Sequence, residues 1–361
     1  MTRATRAVIN LSALRHNLSI ARRHAPESHI MAIIKANGYG HGSVAVAQAL
    51  VQANAFGVAC LDEAITLREA GISQPIVLLE GVVHADDLNL VRGYQLELVI
   101  HHTHQISLLE QAKGKAIPIW LKLDTGMHRL GIAPSQVSEM LQRLTQLETV
   151  AQPVRLMTHL ANADDRQDDT TPQQVMRFDA ATAELPLQAS IANSAGILAW
   201  PDTHRDWIRP GIMLYGVSPF VDSTATEHEL QPVMTLQSEL IAINQQQQGE
   251  PIGYGGSYRC PADMPVGVVA IGYGDGYPRH APSGTPVLVN GQRVPLIGRV
   301  SMDMICVDLR DCPDARIGDP VVLWGEALPV EEIASQAGTI GYELLCQVTQ
   351  RVPFEYQHGI V

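Results

Sequence analysis

Eight short apolar runs alternate with amphipathic helical patterns between residues 30 and 209, and this alternation constrains the fold more than any other feature. The runs are rich in Val, Ile and Leu with little polar alternation, which is typical of strands buried on both faces of a parallel sheet. They are Ile30–Lys35, Ala55–Cys60, Pro75–Glu80, Gln95–Ile100, Ile117–Asp124, Gln152–His159, Leu187–Ala192 and Asp206–Arg209. Eight strand-and-helix units predict an N-terminal (β/α)₈ TIM-like barrel with its active site at the carboxyl ends of the strands.

Amphipathic helices are expected between these strands. Clear patterns cover Val44–Val51, Asp62–Ala70, Pro134–Leu144 and Gln173–Glu184. The start of the last one is the best marked, because Thr171 can cap a helix and Pro172 suits the first helical position.

After Phe220 the pattern changes to strands without intervening helices. The expected strands are Val233–Asn244, Val266–Ile271, Thr285–Val289, Val294–Val300, Met304–Leu309 and Pro320–Trp324, and only Val330–Ala337 is expected to be helical. Clusters of Gly, Pro, Asn and Asp between the strands are typical of a mostly antiparallel β domain. The predicted division is a barrel over residues 1–230 and a β domain over 231–361, with the extreme N-terminus free to pack with the β domain.

Charge and cysteine content exclude several classes of protein. The 25 Lys and Arg are outnumbered by 37 Asp and Glu, and no basic run is present, which argues against nucleic acid binding. No segment has the apolar length of a membrane span or the apolar core of a secretory signal. The five cysteines are widely spaced without C-x-x-C, which favours reduced thiols and a cytoplasmic location.

The motif K-A-N-G-Y-G-H-G, residues 35–42, directly follows the first predicted strand. A lysine at this end of a barrel strand is well placed to form a Schiff base, because partial desolvation keeps its amine neutral enough to act as a nucleophile. Glycines at positions 38, 40 and 42 permit a tight turn into the next helix. The alternative is an ordinary strand-to-helix loop with a surface lysine.

Four further motifs follow later strands and converge on the same barrel face. They are L-K-L-D-T-G-M-H-R-L-G (121–131), T-H-L-A-N-A-D (158–164), N-S-A-G (193–196) and R-P-G-I (209–212). Backbone N–H groups at Ser194 and at Gly211–Ile212 could hold a phosphate.

With these motifs the chain resembles a bacterial alanine racemase. The resemblance runs over nearly the whole chain and includes G-Y-G-G-S-Y (253–258), I-G-Y-G-D-G-Y (271–277), G-R-V-S-M-D (298–303) and G-T-I-G-Y-E (338–343). It implies a pyridoxal 5'-phosphate enzyme that forms a homodimer with shared active sites and makes or degrades D-alanine. Position 38 is Gly where many relatives have Ala.

The resemblance also implies individual roles. Lys35 carries the cofactor and acts as one of two catalytic bases, and Tyr254 from the second subunit is the other. His159 lies beside the tyrosine and is linked to Arg209, which serves the pyridine nitrogen and disfavours transamination, since an arginine does not readily give up a proton.

The remaining matched positions bind cofactor or substrate. Phosphate contacts match Tyr39, Ser194, Gly211, Ile212 and Tyr342. Arg129 holds the cofactor's phenolic oxygen or the substrate carboxylate, and Met302 lines the substrate pocket. The entrance corridor matches Asp164, Tyr273, Arg299 and Asp303. Lys122 is carbamylated in relatives, which turns a cation into an anion that pairs with Arg129; the alternative is a plain lysine that repels it.

Other signals are weaker. The run His101-His102-Thr103-His104 resembles a metal-binding tract, but no nearby Cys or carboxylate completes a set of ligands, so no metal is expected. The acidic run near Asp164 lacks the spacing of a calcium loop. The glycine motifs match neither nucleotide-binding pattern.

Two rival functions remain open at this level. A basic-amino-acid decarboxylase of the same fold type would benefit from a protonated ring nitrogen, and Arg209 argues against it. A non-catalytic pyridoxal-phosphate carrier would resemble the barrel alone, whereas this chain adds a second domain with Tyr254 and Met302.

Overall fold

The computed structural model describes residues 4–357 and divides the chain into two compact units. One unit holds Arg15–Leu214 and Ser218–Ser223 and is called the barrel unit. Of the described residues, the other holds 4–14, Tyr215–Val217 and 224–357, and is called the sheet unit. Over the residues described, no helix combines the length and apolarity needed to cross a bilayer.

The strands are numbered in chain order. They are β1 (Arg6–Asn10), β2 (His29–Ile33), β3 (Ala55–Val58), β4 (Ile76–Leu78), β5 (Glu97–Ile100), β6 (Ile117–Lys122), β7 (Val150–Met157), β8 (Ala189–Ser190), β9 (Trp207–Ile208), β10 (Met234–Gln246), β11 (Pro251–Ile252), β12 (Tyr258–Arg259), β13 (Met264–Val269), β14 (Pro286–Val289), β15 (Gln292–Ile297), β16 (Ile305–Asp308), β17 (Pro320–Trp324) and β18 (Phe354–Gln357).

Strands β2 to β9 form a closed parallel barrel, in which β2 pairs with both β3 and β9. Each strand corresponds to one of the eight apolar runs, so the predicted (β/α)₈ barrel is confirmed. Every residue of β3, β4 and β5 is buried, which explains why the runs lack polar alternation. Since all eight strands point the same way, the polar motifs that follow them meet at one rim of the barrel.

Helices connect the barrel strands. Together with the helix that precedes β2, they are Leu11–His24, Ser43–Ala49, Leu61–Glu69, Asp87–Gly93, Thr103–Gln111, Val137–Thr145, Thr170–Thr182 and Ser194–Ala199. The four helical patterns of the sequence fall on helices within a few residues, although the first three residues of Pro134–Leu144 form a 3₁₀ turn.

The helix that begins at Thr170 does not start as predicted. Asp169 occupies the N-cap position and Pro172 is the third helical residue. Thr171 is fully buried and does not cap the helix, so its predicted role is wrong. The Asp168 carboxylate instead accepts the Thr170 N–H at 2.5 Å and so supports the turn that leads into the helix.

The sheet unit is mostly antiparallel, as predicted, and its main sheet has eight strands where six were expected. Its strand order is β13-β16-β15-β14-β17-β10-β1-β18, with an additional pairing between β13 and β10. The 13-residue strand β10 pairs with β1 and β17 in its first half and with β13 in its second. Register shifts near Gln237 and between Leu240 and Ala242 accompany this change of partner, as expected for β-bulges that bend a strand.

Helical content in the sheet unit exceeds the expectation. Val330–Ala337 is a helix over the predicted residues, but Gly341–Gln347 forms another, so the expectation of a single helix is wrong. The second helix is short and begins with glycine, a weak helix former, so its sequence carries little helical signal. Strands β1 and β18 pair in parallel although they lie at opposite ends of the chain, and no local pattern marks that pairing.

Candidate active site

Lys35 lies just beyond β2 and begins a turn with an unusual backbone. Residues 36–39 all have left-handed dihedral angles, with φ between 50° and 63°. Three of the four carry a side chain, for which this region costs roughly 1–2 kcal/mol each. The Asn37 side chain supports the turn by accepting the Ser43 N–H at 3.0 Å through Oδ1. Strain of this kind is typical of functional sites.

His41 holds the far end of this turn. Its Nδ1 lies 2.8 Å from the carbonyl oxygen of Tyr39 and 3.1 Å from that of Gly38. Complete burial lowers the pKa of His41 to about 4. Because carbonyl oxygens only accept, the neutral ring carries its proton on Nδ1 and donates it to the turn.

Arg209 directly follows β9 and is almost completely buried. Its guanidinium donates to Ser190 Oγ at 2.6 Å and to the carbonyl oxygens of Thr158 and Ile191 at 2.6 and 3.1 Å. Burial lowers the pKa of Arg209 to about 10, so the group stays charged at neutral pH. These contacts fix a cation inside the barrel rim.

His159 is held beside this cation. Its Nδ1 lies 3.2 Å from Arg209 Nη2. Burial and then the positive charge of Arg209 move the pKa of His159 well below its ordinary value. A guanidinium can only donate, so Nδ1 accepts and the neutral ring carries its proton on Nε2. The pair therefore presents an Nε2–H donor.

Lys122 ends β6 among other cations. Burial, followed by the charges of Arg209, Arg129 and Lys35, lowers the pKa of Lys122 to about 8, while Asp124 opposes the shift. The structure thus brings four of the predicted site residues within electrostatic range of one another. Such a concentration of positive charge favours anionic ligands.

Four of the predicted phosphate contacts lie together in the barrel unit. The Gly211 N–H donates to Ser194 Oγ at 2.9 Å. A Cβ placed on Gly211 would lie 2.8 Å from the Tyr39 hydroxyl oxygen, so this hydroxyl rests directly on the glycine. Ile212 begins the 3₁₀ turn that follows. Two hydroxyls and neighbouring backbone N–H groups here form a donor set that suits a phosphate.

The sheet unit places Tyr254 on a short turn with its side chain largely in solvent, at 70% exposure. Gly253 and Gly255 on this turn have φ of 66° and 72°. A Cβ on Gly255 would lie 3.2 Å from Arg299 Nη1, so the guanidinium packs on the turn. The structure therefore places Arg299 against the turn that carries Tyr254 and leaves the phenol accessible to another molecule.

Tyr273 and Met302 lie on adjacent loops of the same unit. The Gly274 N–H donates to the Met302 carbonyl oxygen at 2.9 Å. Asp303 accepts a hydrogen bond of 2.6 Å from Arg351, and Tyr342 lies in the helix Gly341–Gln347. In the barrel unit, Asp164 is exposed beyond the end of β7.

Gln174 carries no functional signal in the sequence, yet it holds the segment around His159. It is fully buried and donates through Nε2 to the His159 carbonyl oxygen at 3.0 Å, and accepts the Ala161 N–H at 2.8 Å. Its Nε2 also reaches Thr125 Oγ1 at 3.3 Å. A polar residue on an amphipathic helix is expected to face solvent, so only the fold reveals this contact.

The histidine run forms contacts with the backbone. His101 and His104 place Nε2 at 3.0 and 3.1 Å from the carbonyl oxygens of Glu80 and Val83, and His102 caps the following helix. Among residues 4–357, no three His, Cys, Asp or Glu side chains are grouped as metal ligands.

Two family models together match most of the chain. Residues 9–219 match the family model described as Alanine racemase, N-terminal domain, and residues 233–356 match Alanine racemase, C-terminal domain. The chain belongs to the alanine racemase family. This family consists of isomerases that generally depend on pyridoxal phosphate, so the resemblance and the enzyme class predicted from the sequence are confirmed.

Similar proteins cover nearly the whole chain. A curated alanine racemase from Coxiella burnetii is 52% identical over 360 residues, covering 98% of this chain and 99% of its own length. One from Nitrosococcus oceani is 54% identical over 348 residues, covering 96% and 98%. The crystal structure of a biosynthetic alanine racemase from Pseudomonas aeruginosa has a TM-score of 0.96 at 46% identity and covers 99% of this chain and 100% of its own.

Proposed function

We propose that this chain interconverts L-alanine and D-alanine with pyridoxal 5'-phosphate as cofactor. The observation that carries the proposal is the hydrogen-bonded pair of the buried Arg209 and His159 on the barrel rim that also presents Lys35. Family membership and curated relatives named alanine racemase support the choice of alanine.

The residues present fit this cofactor. The hydroxyls of Tyr39 and Ser194 and the N–H groups of Gly211 and Ile212 suit a phosphate, and the missing Cβ of Gly211 lets the Tyr39 hydroxyl approach this group of donors. Lys35 supplies the amine that holds the cofactor covalently. Further contacts are assigned to Tyr342 for the phosphate and to Arg129 for the phenolic oxygen or the substrate carboxylate.

When bound, pyridoxal phosphate supplies an electron sink that makes the substrate's Cα proton acidic. Lys35 Nζ takes or returns this proton on one face of Cα, and Tyr254 Oη does so on the opposite face. One proton is lost and one gained, so the configuration inverts with no net consumption of acid or base.

His159 and Arg209 support the proton transfers by binding Tyr254 and the cofactor, respectively. A tyrosine ordinarily titrates near ~10, so its phenolate needs a hydrogen-bond donor to serve as a base. We assign this role to the Nε2–H of His159, because Nδ1 of the same ring accepts from Arg209. Arg209 would hold the cofactor's ring nitrogen without giving up its own proton, which favours racemisation over transamination.

A second copy of the chain completes the site in this proposal. Residues 1–230 bind the cofactor, and residues 231–361 of the other subunit provide Tyr254, giving a head-to-tail homodimer. The accessible phenol of Tyr254 supports this arrangement. The cytoplasmic location inferred from the cysteine pattern stays a prediction.

Lys122 is proposed to be carbamylated. Its neutral amine attacks CO₂, a nitrogen–carbon bond forms, and a proton is released to solvent. The resulting anion offsets the charges of Arg209 and Arg129, which otherwise repel the ammonium group.

Substrate choice is assigned to the sheet unit and one barrel loop. Met302 and Arg129 contact the substrate, and the entrance is formed by Asp164, Tyr273, Arg299 and Asp303. Pocket size discriminates by only about 1–3 kcal/mol per methylene, so slower turnover of serine is expected. The similarity to a protein named biosynthetic alanine racemase favours supply of D-alanine for the cell wall over alanine catabolism.

The test is incubation of the cofactor-loaded protein with L-alanine in D₂O, following optical activity and α-deuterium together. Racemisation with deuterium at Cα is expected, and Lys35→Ala should abolish it. Deuterium with retained L-configuration would mean that a single base works and that Tyr254 is wrongly assigned. No change in either signal would exclude alanine; CO₂ release from ornithine or lysine would indicate a decarboxylase, and an inert loaded protein a carrier.

A further inference from the structure

Glu63 joins the ends of two neighbouring barrel strands. It is the third residue of the helix Leu61–Glu69. Its Oε1 accepts the Ala36 N–H at 2.6 Å, and its Oε2 accepts the Ala59 N–H at 2.7 Å. One carboxylate therefore binds a backbone group just beyond β2 and another just beyond β3.

The Ala36 N–H belongs to the peptide bond that links Lys35 to the left-handed turn. On the other side of the lysine, the barrel fixes the backbone, since the Ile34 N–H donates to the Gly57 carbonyl oxygen at 3.0 Å. Lys35 is thus held between a strand pairing and a single carboxylate. The next side-chain hydrogen bond of the turn is made by Asn37, which accepts the Ser43 N–H.

The left-handed turn needs such support because most of its residues disfavour it. Ala36 has φ 52° and ψ 51°, where a side chain is strained and a glycine is not. Without a fixed acceptor, the peptide after Lys35 could rotate toward an ordinary conformation. Such a rotation would redirect the whole lysine side chain.

A carboxylate is suited to this task in a way that an amide is not. Its two oxygens each accept one N–H, whereas a glutamine would turn its own NH₂ toward one of the two donors. Hydrogen bonds to an ionised acceptor are also shorter and stronger than those to a neutral one. Glu63 lies in the first turn of its helix, where the helix dipole favours negative charge.

We propose that Glu63 is a positioning residue for Lys35. It holds the strained peptide after the lysine and so fixes the direction of the Lys35 amine toward the cofactor and the substrate. The inference rests on the proposed function in giving Lys35 those two tasks.

The test compares Glu63→Gln with Asp62→Asn in the cofactor-loaded enzyme. Asp62 is exposed on the same helical turn, so its variant removes the same charge without touching the Lys35 turn. Glu63→Gln is expected to lower kcat by about 10- to 100-fold with little change in KM, because small misplacements of a reacting group are costly. It should also shift the pH dependence of the cofactor absorbance and speed deuterium exchange of residues 35–42. Asp62→Asn should match the wild type.

Adding Ala36→Gly to Glu63→Gln separates positioning from other effects. Glycine adopts the left-handed conformation without strain, so the double variant should recover part of kcat and of the absorbance profile. The proposal is overturned if Glu63→Gln matches Asp62→Asn. It is also overturned if kcat falls while the absorbance and the exchange stay unchanged, or if the glycine restores nothing. Should the wild type fail to racemise alanine, the proposed function fails, whereas absorbance and exchange still decide the role of Glu63.

Discussion

Gly211→Ala tests the phosphate site with a single methyl group. The added Cβ would lie 2.8 Å from the Tyr39 hydroxyl oxygen and 3.4 Å from Cζ of the same ring. Tyr39 is buried and belongs to the strained turn after Lys35, so it has little room to withdraw. Overpacking of this kind costs about 1–3 kcal/mol. If the cost falls on the cofactor-bound state, the Kd for pyridoxal phosphate rises about 5- to 150-fold.

The matched control is Gly93→Ala. Gly93 ends the helix Asp87–Gly93, and a Cβ placed there meets no atom within 4 Å. Absorbance titration of the cofactor-free proteins with pyridoxal phosphate gives the Kd, and thermal unfolding of the same samples shows whether the fold is intact. Equal Kd values for the two variants would refute the assignment of Gly211 and Tyr39 to the phosphate site.

Three further predictions address the two bases, the buried histidine and the modified lysine. Tyr254→Phe should slow proton abstraction from one enantiomer more than from the other; primary isotope effects with α-deuterated L- and D-alanine measure this, and equal, negligible changes would remove the assigned role. Because the pKa of His41 is about 4, the unfolded chain binds a proton that the folded chain does not between about pH 6.5 and 4. The free energy of unfolding should therefore fall by about 2–3 kcal/mol as the pH drops through that window, and denaturant titrations of His41→Asn should show a smaller fall. The Lys122 amine is mostly neutral above its pKa of about 8, so native intact-mass spectra should show more of a single CO₂ adduct as the pH rises in bicarbonate. An adduct that persists in Lys122→Met, or none in gently handled wild type, would contradict that assignment.

Sequence patterns recovered most of the barrel because its signals are local. A strand buried on both faces is a short apolar run whatever its partners are, so runs such as Ile117–Asp124 mark their own positions. Boundaries were less certain, as the helix beginning at Thr170 shows. There the Asp168 side chain accepts the Thr170 N–H, and Thr171, which was expected to cap the helix, does not.

Candidate site residues could be predicted from the sequence where a motif directly follows a strand. Lys35, Arg209 and Lys122 could be placed on one rim from chain order alone, since parallel strands end on the same side of the sheet. Gln174 and Glu63 could not, because both lie on outer helices where a polar residue is ordinarily solvated. Gln174 binds the backbone of His159 and Glu63 binds the backbone of Ala36. Both partners are distant in sequence, and no sequence pattern marks either contact.

The sequence by itself determined the eight strand-and-helix units, the antiparallel domain that follows and the family to which the chain belongs. These properties depend on residue type and periodicity, which can be read from short segments of neighbouring residues. Only the tertiary structure decided which nitrogen of His159 carries its proton, why the pKa of Lys122 falls and how the turn after Lys35 is held. Each of these follows from burial and from charges or acceptors supplied by distant strands, and such distances exist only once the barrel has closed.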